Sequence, residues 1–202
     1  MDIEQTLSSL RESGNFRQIP VEQSTDVTDL SSNDYLGLGV REDLRDAFFA
    51  TEASHQAMSA SASRLLGAIQ QPYASLERLL SESYGHGREA LLFNSGYHAN
   101  TGLVSAIADK KTLIVADRLV HASIIDGIKL SGAQFTRFPH NDFVRLEEIV
   151  ASKINDYERI LIIVESVYSM DGDTADIQAL ADIKRRHGER VTLYVDEAHA
   201  VG

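Results

Sequence analysis

Apolar positions recur along this chain with two different periods, and the switch between them divides it. Near the N-terminus, Ile3, Leu7 and Leu10 share one face at helical spacing, with Asp2 placed to cap the first turn. Residues 14–32 lose that pattern, contain Pro20, and read as a linker. A second helix is expected from about Arg41, with Leu44, Ala47 and Phe48 on one face. Residues 58–72 are rich in Ser, Ala and Gly and read as a loop. Leu76, Leu79 and Leu80 mark a further helix, closed by Gly85.

Beyond that point short strand-like runs alternate with amphipathic helical stretches. The strands are expected at 90–93, 112–116, 134–138, 160–164 and 191–195, and the helices at 97–108, 121–130, 142–154 and 175–187. Asp142 is placed to cap the third of these helices and Gly188 to close the fourth. Residues 161–164 and 192–195 are continuous apolar runs, as strands covered on both faces are. The alternation predicts an α/β fold with a mostly parallel sheet and helices on both faces. The expected division is a helix and linker over 1–34 and part of one large domain over 35–202.

Composition narrows the function classes. A net charge of −11 opposes general nucleic-acid binding and docking onto anionic membranes. The chain has no cysteine, which removes disulfides and thiolate zinc sites and agrees with a reducing cytoplasm. The first residues are acidic and amphipathic, unlike a secretory signal, and no apolar run approaches the length of a membrane span.

In open α/β sheets ligands bind at the carboxyl ends of the strands, so the residues that follow each strand carry the chemistry. Asn94-Ser95-Gly96-Tyr97 leads into a helix; small residues there let N–H groups approach an anion, though an ordinary strand-to-helix turn looks the same. Asp117 is followed by His121-Ala122-Ser123 at a helix start, where the dipole favours a neutral imidazole able to lie against a π-system or simply to cap. Glu165 opens a polar loop through Ser169 to Asp173, and its Asp-Gly pair is equally a common turn. Asp196 ends an apolar strand and needs a cation or strong donors if buried; a protonated pyridine nitrogen is one such partner. Ala198 leaves room for a flat ring and His199 follows it. Asp196 and His199 have no third ligand at metal-site spacing, so no metal is expected.

Six motifs in this order resemble the α-oxoamine synthases, pyridoxal-phosphate (PLP) enzymes of fold type I. They are Ser32-Asn33-Asp34-Tyr35-Leu36-Gly37, Phe93-Asn94-Ser95-Gly96-Tyr97, Asp117-Arg118-Leu119-Val120-His121-Ala122-Ser123, His140-Asn141-Asp142, Ser169-Met170-Asp171-Gly172-Asp173, and Asp196-Glu197-Ala198-His199-Ala200-Val201-Gly202. The resemblance implies that His121 and Ala198 cover the two faces of the PLP ring and that Asp196 pairs with its nitrogen. It implies that Ser169 and His199 bind the ring oxygen and that Ser95, Gly96 and Tyr97 border the phosphate. Asn33 and Ser63 would lie near the substrate, and Glu165 would help orient the site. His121, Asp196 and His199 are the candidate catalytic residues.

The implied activity is a decarboxylative condensation of an amino acid with an acyl-CoA by a cytoplasmic homodimer. Within the family the motifs are nearest to members that join L-alanine to a pimeloyl thioester in biotin biosynthesis. The alternative is the glycine and acetyl-CoA pair, which the sequence of residues 121–133 resembles. Where members carry a Gly-rich stretch, this chain has Met58-Ser59-Ala60-Ser61-Ala62-Ser63-Arg64, a departure on the substrate side. The resemblance implies a cofactor-anchoring lysine a little beyond Gly202. Of the lysines in this chain, Lys110 and Lys111 precede a strand and Lys129, Lys153 and Lys184 fall on exposed helical or helix-end positions, so none is expected to substitute for it. The chain alone is therefore expected to be an inactive N-terminal half of such an enzyme, or else a lysine-less, non-catalytic partner.

Overall fold

The computed structural model describes residues 2–19, 30–51, 59, 61–67, 71–85 and 87–201. Contacts divide the chain into two units, Met1–Gly39 and Val40–Gly202. The first contains α1 (Ile3–Glu12), whose N-terminus is capped by Asp2 through the N–H groups of Glu4 and Gln5. Asp34 closes a turn in this unit by accepting from the backbone of Leu38 and Gly39, each at 2.8 Å. Residues 20–29 of the polar stretch expected as a linker, and Met58, Ala60 and residues 68–70 of the Ser/Ala/Gly stretch, lie outside the described residues.

The second unit runs α2 (Glu42–Phe49), α3 (Gln71–Tyr84), α4 (Gly96–Ile107), β1 (Thr112–Asp117), α5 (Ala122–Ser131), β2 (Gln134–Phe138), α6 (Phe143–Lys153), β3 (Arg159–Glu165), α7 (Ile177–His187) and β4 (Val191–Asp196). The strands form one parallel sheet in the order β2-β1-β3-β4. Asp142 caps α6 and Gly188 closes α7, as their positions in the sequence require.

Successive side chains on a strand face opposite ways, so each central strand feeds two cores. Leu113 and Val115 of β1, with Ile160, Ile162 and Val164 of β3, pack under Leu146, Val150, Leu180 and Ile183 of α6 and α7. Ile114 and Ala116, with Leu161 and Ile163, pack under Val104, Ile124 and Ile128 of α4 and α5. This two-sided burial is why residues 161–164 of β3 read as an unbroken apolar run. Residues 192–195 of β4, the outer strand of the sheet, are only half-buried, so that second run is not covered on both faces as expected. On the second face α4 and α5 approach closely at Gly127, where a Cβ would lie 2.7 Å from the Asn100 carbonyl oxygen and 3.0 Å from Val104 Cβ.

One expected strand is absent. Residues 90–93 form no ladder, Leu91 is 62% exposed, and the N–H of Leu92 donates to the Glu77 carboxylate at 2.8 Å. An apolar run becomes a strand only where a neighbouring backbone takes up its hydrogen bonds; here a side chain does so instead. Glu77 also holds Arg64 through a two-pronged ion pair at 2.5–2.6 Å. The hydrogen bonds from Arg64 and then Leu92 pull its carboxyl down to about 2.

Candidate functional site

The alternation that builds the two cores also sorts the polar groups at the carboxyl edge. Asp117 has the parity of Leu113 and Val115 and turns toward α6 and α7. Glu165 and Asp196 are paired in register at the ends of β3 and β4 and share the parity of Ile163 and Tyr194, toward α4 and α5. Two separate polar clusters result.

The cluster on the α4 and α5 side opens into a cavity of about 120 Å³ lined by Gly96, Tyr97, Asn100, His121, Ser123, Glu165, Ser169, Asp196, Ala198 and His199. The N-terminus of α4 forms one wall. Ser95 caps that helix by accepting from the N–H of His98, and beyond its chain neighbours and its own helix backbone a Cβ on Gly96 would meet nothing within 4 Å. The opening is thus a helix N-terminus whose first residue adds no side chain, an arrangement that suits an anion. His121 caps α5, its Nδ1 accepting from the Ser123 N–H at 3.2 Å. Asp196 Oδ1 accepts from the Ala198 N–H at 2.9 Å and Oδ2 from Asn100 Nδ2 at 2.8 Å. Both are neutral donors, and among the described residues Asp196 forms no ion pair with lysine or arginine. Tyr194 donates to Asn100 Oδ1 at 2.5 Å; burial and then the nearby Asp196 charge push its phenol up to about 12, so it stays a donor at neutral pH.

Glu165 is 4% exposed, and its Oε1 accepts the backbone N–H of His121 at 2.6 Å. Burial raises its carboxyl above the usual range; the His121 N–H opposes the shift and the Asp196 charge adds to it.

The second cluster holds the loop that carries Ser169. Asp117 is fully buried and accepts from Leu119 N–H, Asn141 N–H and His140 Nδ1 at 2.8–2.9 Å. The other ring nitrogen of His140 meets Asp173 at 2.7 Å, and Asn141, at φ 55°, also donates to Asp173. Burial disfavours the imidazolium, but the hydrogen bonds to Asp117 and Asp173 reverse this and leave the His140 pKa raised. The loop itself is closed by backbone bonds from Tyr168 to Asp173, Gly172 to Tyr168 and Ala175 to Ser166.

Of the residues singled out in the sequence, Gly96, Tyr97, His121, Ser169, Asp196, Ala198 and His199 line one cavity, and Ser95 caps the helix at its edge. Ser63 does not line it; its carbonyl accepts from Leu66 and Gly67. Asn33 belongs to the Met1–Gly39 unit, where its side chain accepts from Tyr35 at 3.4 Å. No lysine lines the cavity: Lys111, Lys129 and Lys153 pair with Glu158, Asp126 and Asp156, Lys184 reaches Gly188 and Glu189, and Lys110 is exposed. Asn100 and Tyr194 escaped the sequence reading; a buried asparagine within a helix carries no local signal. Among the described residues no group of three histidine or acidic side chains is placed to hold a metal, and no helix is long and apolar enough to cross a membrane.

A parallel sheet with helices on both faces and a helix-capped polar cavity at its carboxyl edge defines a class, and residues 25–202 match that class: the chain belongs to the aminotransferase class I and II family. Its curated relatives narrow the likeness. It is 46% identical to the 8-amino-7-oxononanoate synthase of Haemophilus ducreyi over 90% of this chain and 48% of that one. It is 48% identical to a provisionally named 8-amino-7-oxononanoate synthase of Pasteurella multocida over 98% of this chain and 54% of that protein. Among solved structures it is similar to the S. paucimobilis serine palmitoyltransferase with a bound PLP–myriocin aldimine (TM-score 0.77, 27% identity, 96% of this chain and 52% of that one). It is also similar to the 8-amino-7-oxononanoate synthase of Francisella tularensis (TM-score 0.64, 26% identity, 84% and 45%). The chain spans about half the length of the curated relatives it matches.

Proposed function

We propose that this chain forms the cofactor-binding part of a cytoplasmic, homodimeric acyltransferase of the α-oxoamine synthase type. The proposed reaction joins L-alanine to a pimeloyl thioester, releasing carbon dioxide and the thiol to give 8-amino-7-oxononanoate. The observation that carries the reading is Asp196: a carboxylate on a cavity wall, held by two neutral donors and not by a paired cation, within reach of a helix N-terminus. Such a donor set fits PLP, which brings both a protonated ring nitrogen and a phosphate. The names of the relatives at 46–48% identity support the choice of substrates.

In this reading Asp196 keeps the ring nitrogen protonated, and Ser95, Gly96 and Tyr97 hold the phosphate. His121 and Ala198 hold the ring faces, and Ser169 and His199 hydrogen-bond its oxygen. Asn33 and Ser63 belong to the substrate side. When bound, PLP supplies the ring that withdraws electrons from the α-carbon of the amino acid.

Two assays test the proposal. PLP uptake is measured on the chain and on the longest natural protein that contains it. Thiol release is then followed with L-alanine and pimeloyl thioester beside glycine and acetyl-CoA. Uptake of PLP with faster release from the alanine pair is expected. No uptake refutes the cofactor site, and faster release from glycine and acetyl-CoA refutes the substrates.

A further inference from the structure

The cavity has a polar back wall that none of the proposed cofactor contacts uses. Asn100 stands there, 6% exposed, on α4, beside Ser123, which is fully buried on α5. Its amide makes three short contacts: Oδ1 accepts from Tyr194 at 2.5 Å, and Nδ2 donates to Asp196 Oδ2 at 2.8 Å and to Ser123 Oγ at 2.9 Å. These contacts leave one consistent orientation of the amide. A carboxylate only accepts, so the group facing Asp196 is the NH₂; the oxygen then faces Tyr194, whose phenol donates.

The same logic continues to His121. Ser123 Oγ accepts from Asn100, so its own proton is free to go to the nearest acceptor, His121 Nδ1 at 2.7 Å. The Ser123 backbone N–H also points at Nδ1, at 3.2 Å, and an N–H cannot accept. Nδ1 is therefore the lone-pair nitrogen, and the ring proton sits on Nε2. One amide positions the Asp196 carboxylate and, through one hydroxyl, reinforces the His121 tautomer that the Ser123 N–H also favours.

We propose that Asn100 is a positioning residue of this site: oriented by Tyr194, it holds the Asp196 carboxylate in place and, through the Ser123 hydroxyl, reinforces the Nε2–H tautomer of His121. The inference rests on the PLP reading above where it concerns Asp196 and stands apart from it where it concerns His121. Buried hydrogen-bonded chains of this kind act as a unit, so loss of the shared member disturbs both ends. Gly127 permits the arrangement, because the close packing of α4 on α5 brings Asn100 to Ser123.

The test has one arm without cofactor and one with it. In the cofactor-free protein, the ¹⁵N shifts of the His121 ring report the tautomer. Wild type is expected to show Nδ1 as the unprotonated nitrogen. Losing the hydroxyl donor in Ser123→Ala, and loosening it in Asn100→Ala, is expected to raise the share of the Nδ1–H tautomer, with the Ser123 N–H keeping Nε2–H the major form. In the presence of PLP, Asn100→Ala is expected to weaken uptake by about tenfold, the effect of losing one hydrogen bond to a charged group. It is also expected to move the pH titration of the bound ring's absorbance to lower pH. Tyr194→Phe, which removes only the donor that orients the amide, gives a smaller change of the same sign and serves if Asn100→Ala does not fold. A His121 tautomer or a PLP titration that stays as in wild type in the folded variants overturns the inference. If wild type takes up no PLP, it is the functional reading that fails, and the tautomer arm decides this inference alone.

Discussion

The backbone N–H of His121 donates to Oε1 of Glu165 at 2.6 Å, which ties the start of α5 to the end of β3. Glu165 is buried next to Asp196 in the sheet register, and its carboxyl titrates above the usual range. Its work at this bond is to accept, and a neutral amide oxygen accepts as well. Glu165→Gln is therefore expected to fold with His121 in place. Glu165→Ala leaves a buried N–H without its acceptor and is expected to cost about 1–3 kcal/mol. The two variants also differ from wild type in pH dependence. A carboxyl with a raised folded pKa binds more protons folded than unfolded, so its contribution to stability falls as pH rises from the unfolded pKa through the folded one. Urea unfolding across pH 4–8 is expected to show that decline in wild type and its loss in Glu165→Gln.

His140 bridges Asp117 and Asp173 and so fastens the Ser169 loop to the end of β1. Its raised pKa has the opposite chemical cause but the same sign in linkage: the stabilisation is fully present below the unfolded pKa of about 6.5 and lost as pH rises through the folded value. A ring-proton NMR titration of His140 is expected to give a midpoint above 6.5. Amide exchange in residues 166–175 is expected to quicken in His140→Ala even at low pH, where wild type holds the loop. Exchange confined to other segments would show that the clasp does not hold this loop.

Asp196→Asn substitutes an amide for one of the two oxygens that accept from Ala198 and Asn100. It also removes the negative charge proposed to keep the PLP nitrogen protonated. Turnover of the complete enzyme is expected to fall by roughly 100-fold or more, the scale of losing a preorganised electrostatic contact. PLP retention is expected to fall less, because the residues proposed to hold the phosphate at the start of α4 are untouched. Turnover near wild type would remove Asp196 from its proposed role.

Gly127→Ala places a Cβ 2.7 Å from the Asn100 carbonyl oxygen, 3.0 Å from Val104 Cβ and 3.2 Å from Thr101 Cα. Two of these are backbone atoms and cannot rotate away. The gain in helix propensity, about 1 kcal/mol, is smaller than or comparable with the strain of forcing two packed helices apart, about 1–3 kcal/mol. A net loss of stability in denaturant unfolding is expected, with the Asn100–Ser123 contact loosened. A stabilised variant would show that α4 and α5 are not in close contact at this point.

None of the lysines lines the cavity, and four of them are engaged by acidic or carbonyl oxygens at the surface. Borohydride reduction of this chain mixed with PLP is expected to label its lysines without preference. A single, stoichiometrically labelled lysine would overturn the placement of those side chains outside the site.

Much of this architecture is written locally. The apolar run of β3 declares a strand covered on both faces, since burial on both sides tolerates an unbroken row of aliphatic side chains, whereas the like run of β4 is only half-buried because that strand ends the sheet. Asp2, Asp142 and Gly188 mark helix ends because capping uses residues adjacent in the chain. The residues after the strands were legible for the same reason: a parallel sheet brings all its carboxyl ends to one edge. What tertiary structure decided is which of these segments find partners. Residues 90–93 have the composition of a strand, but a ladder needs a second backbone, and Leu92 donates to Glu77 instead. Asp117 and Asp196 both end apolar strands, yet residue parity sends one toward His140 and the other toward Asn100. Asn100 and Tyr194 lie 94 positions apart and meet only once α4 has packed on the sheet. The sequence by itself determined the elements and the edge where chemistry collects, because those follow from short-range periodicity. Only the packed structure decided the hydrogen-bond partners, because a buried polar group is satisfied by whichever distant residue the fold delivers to it.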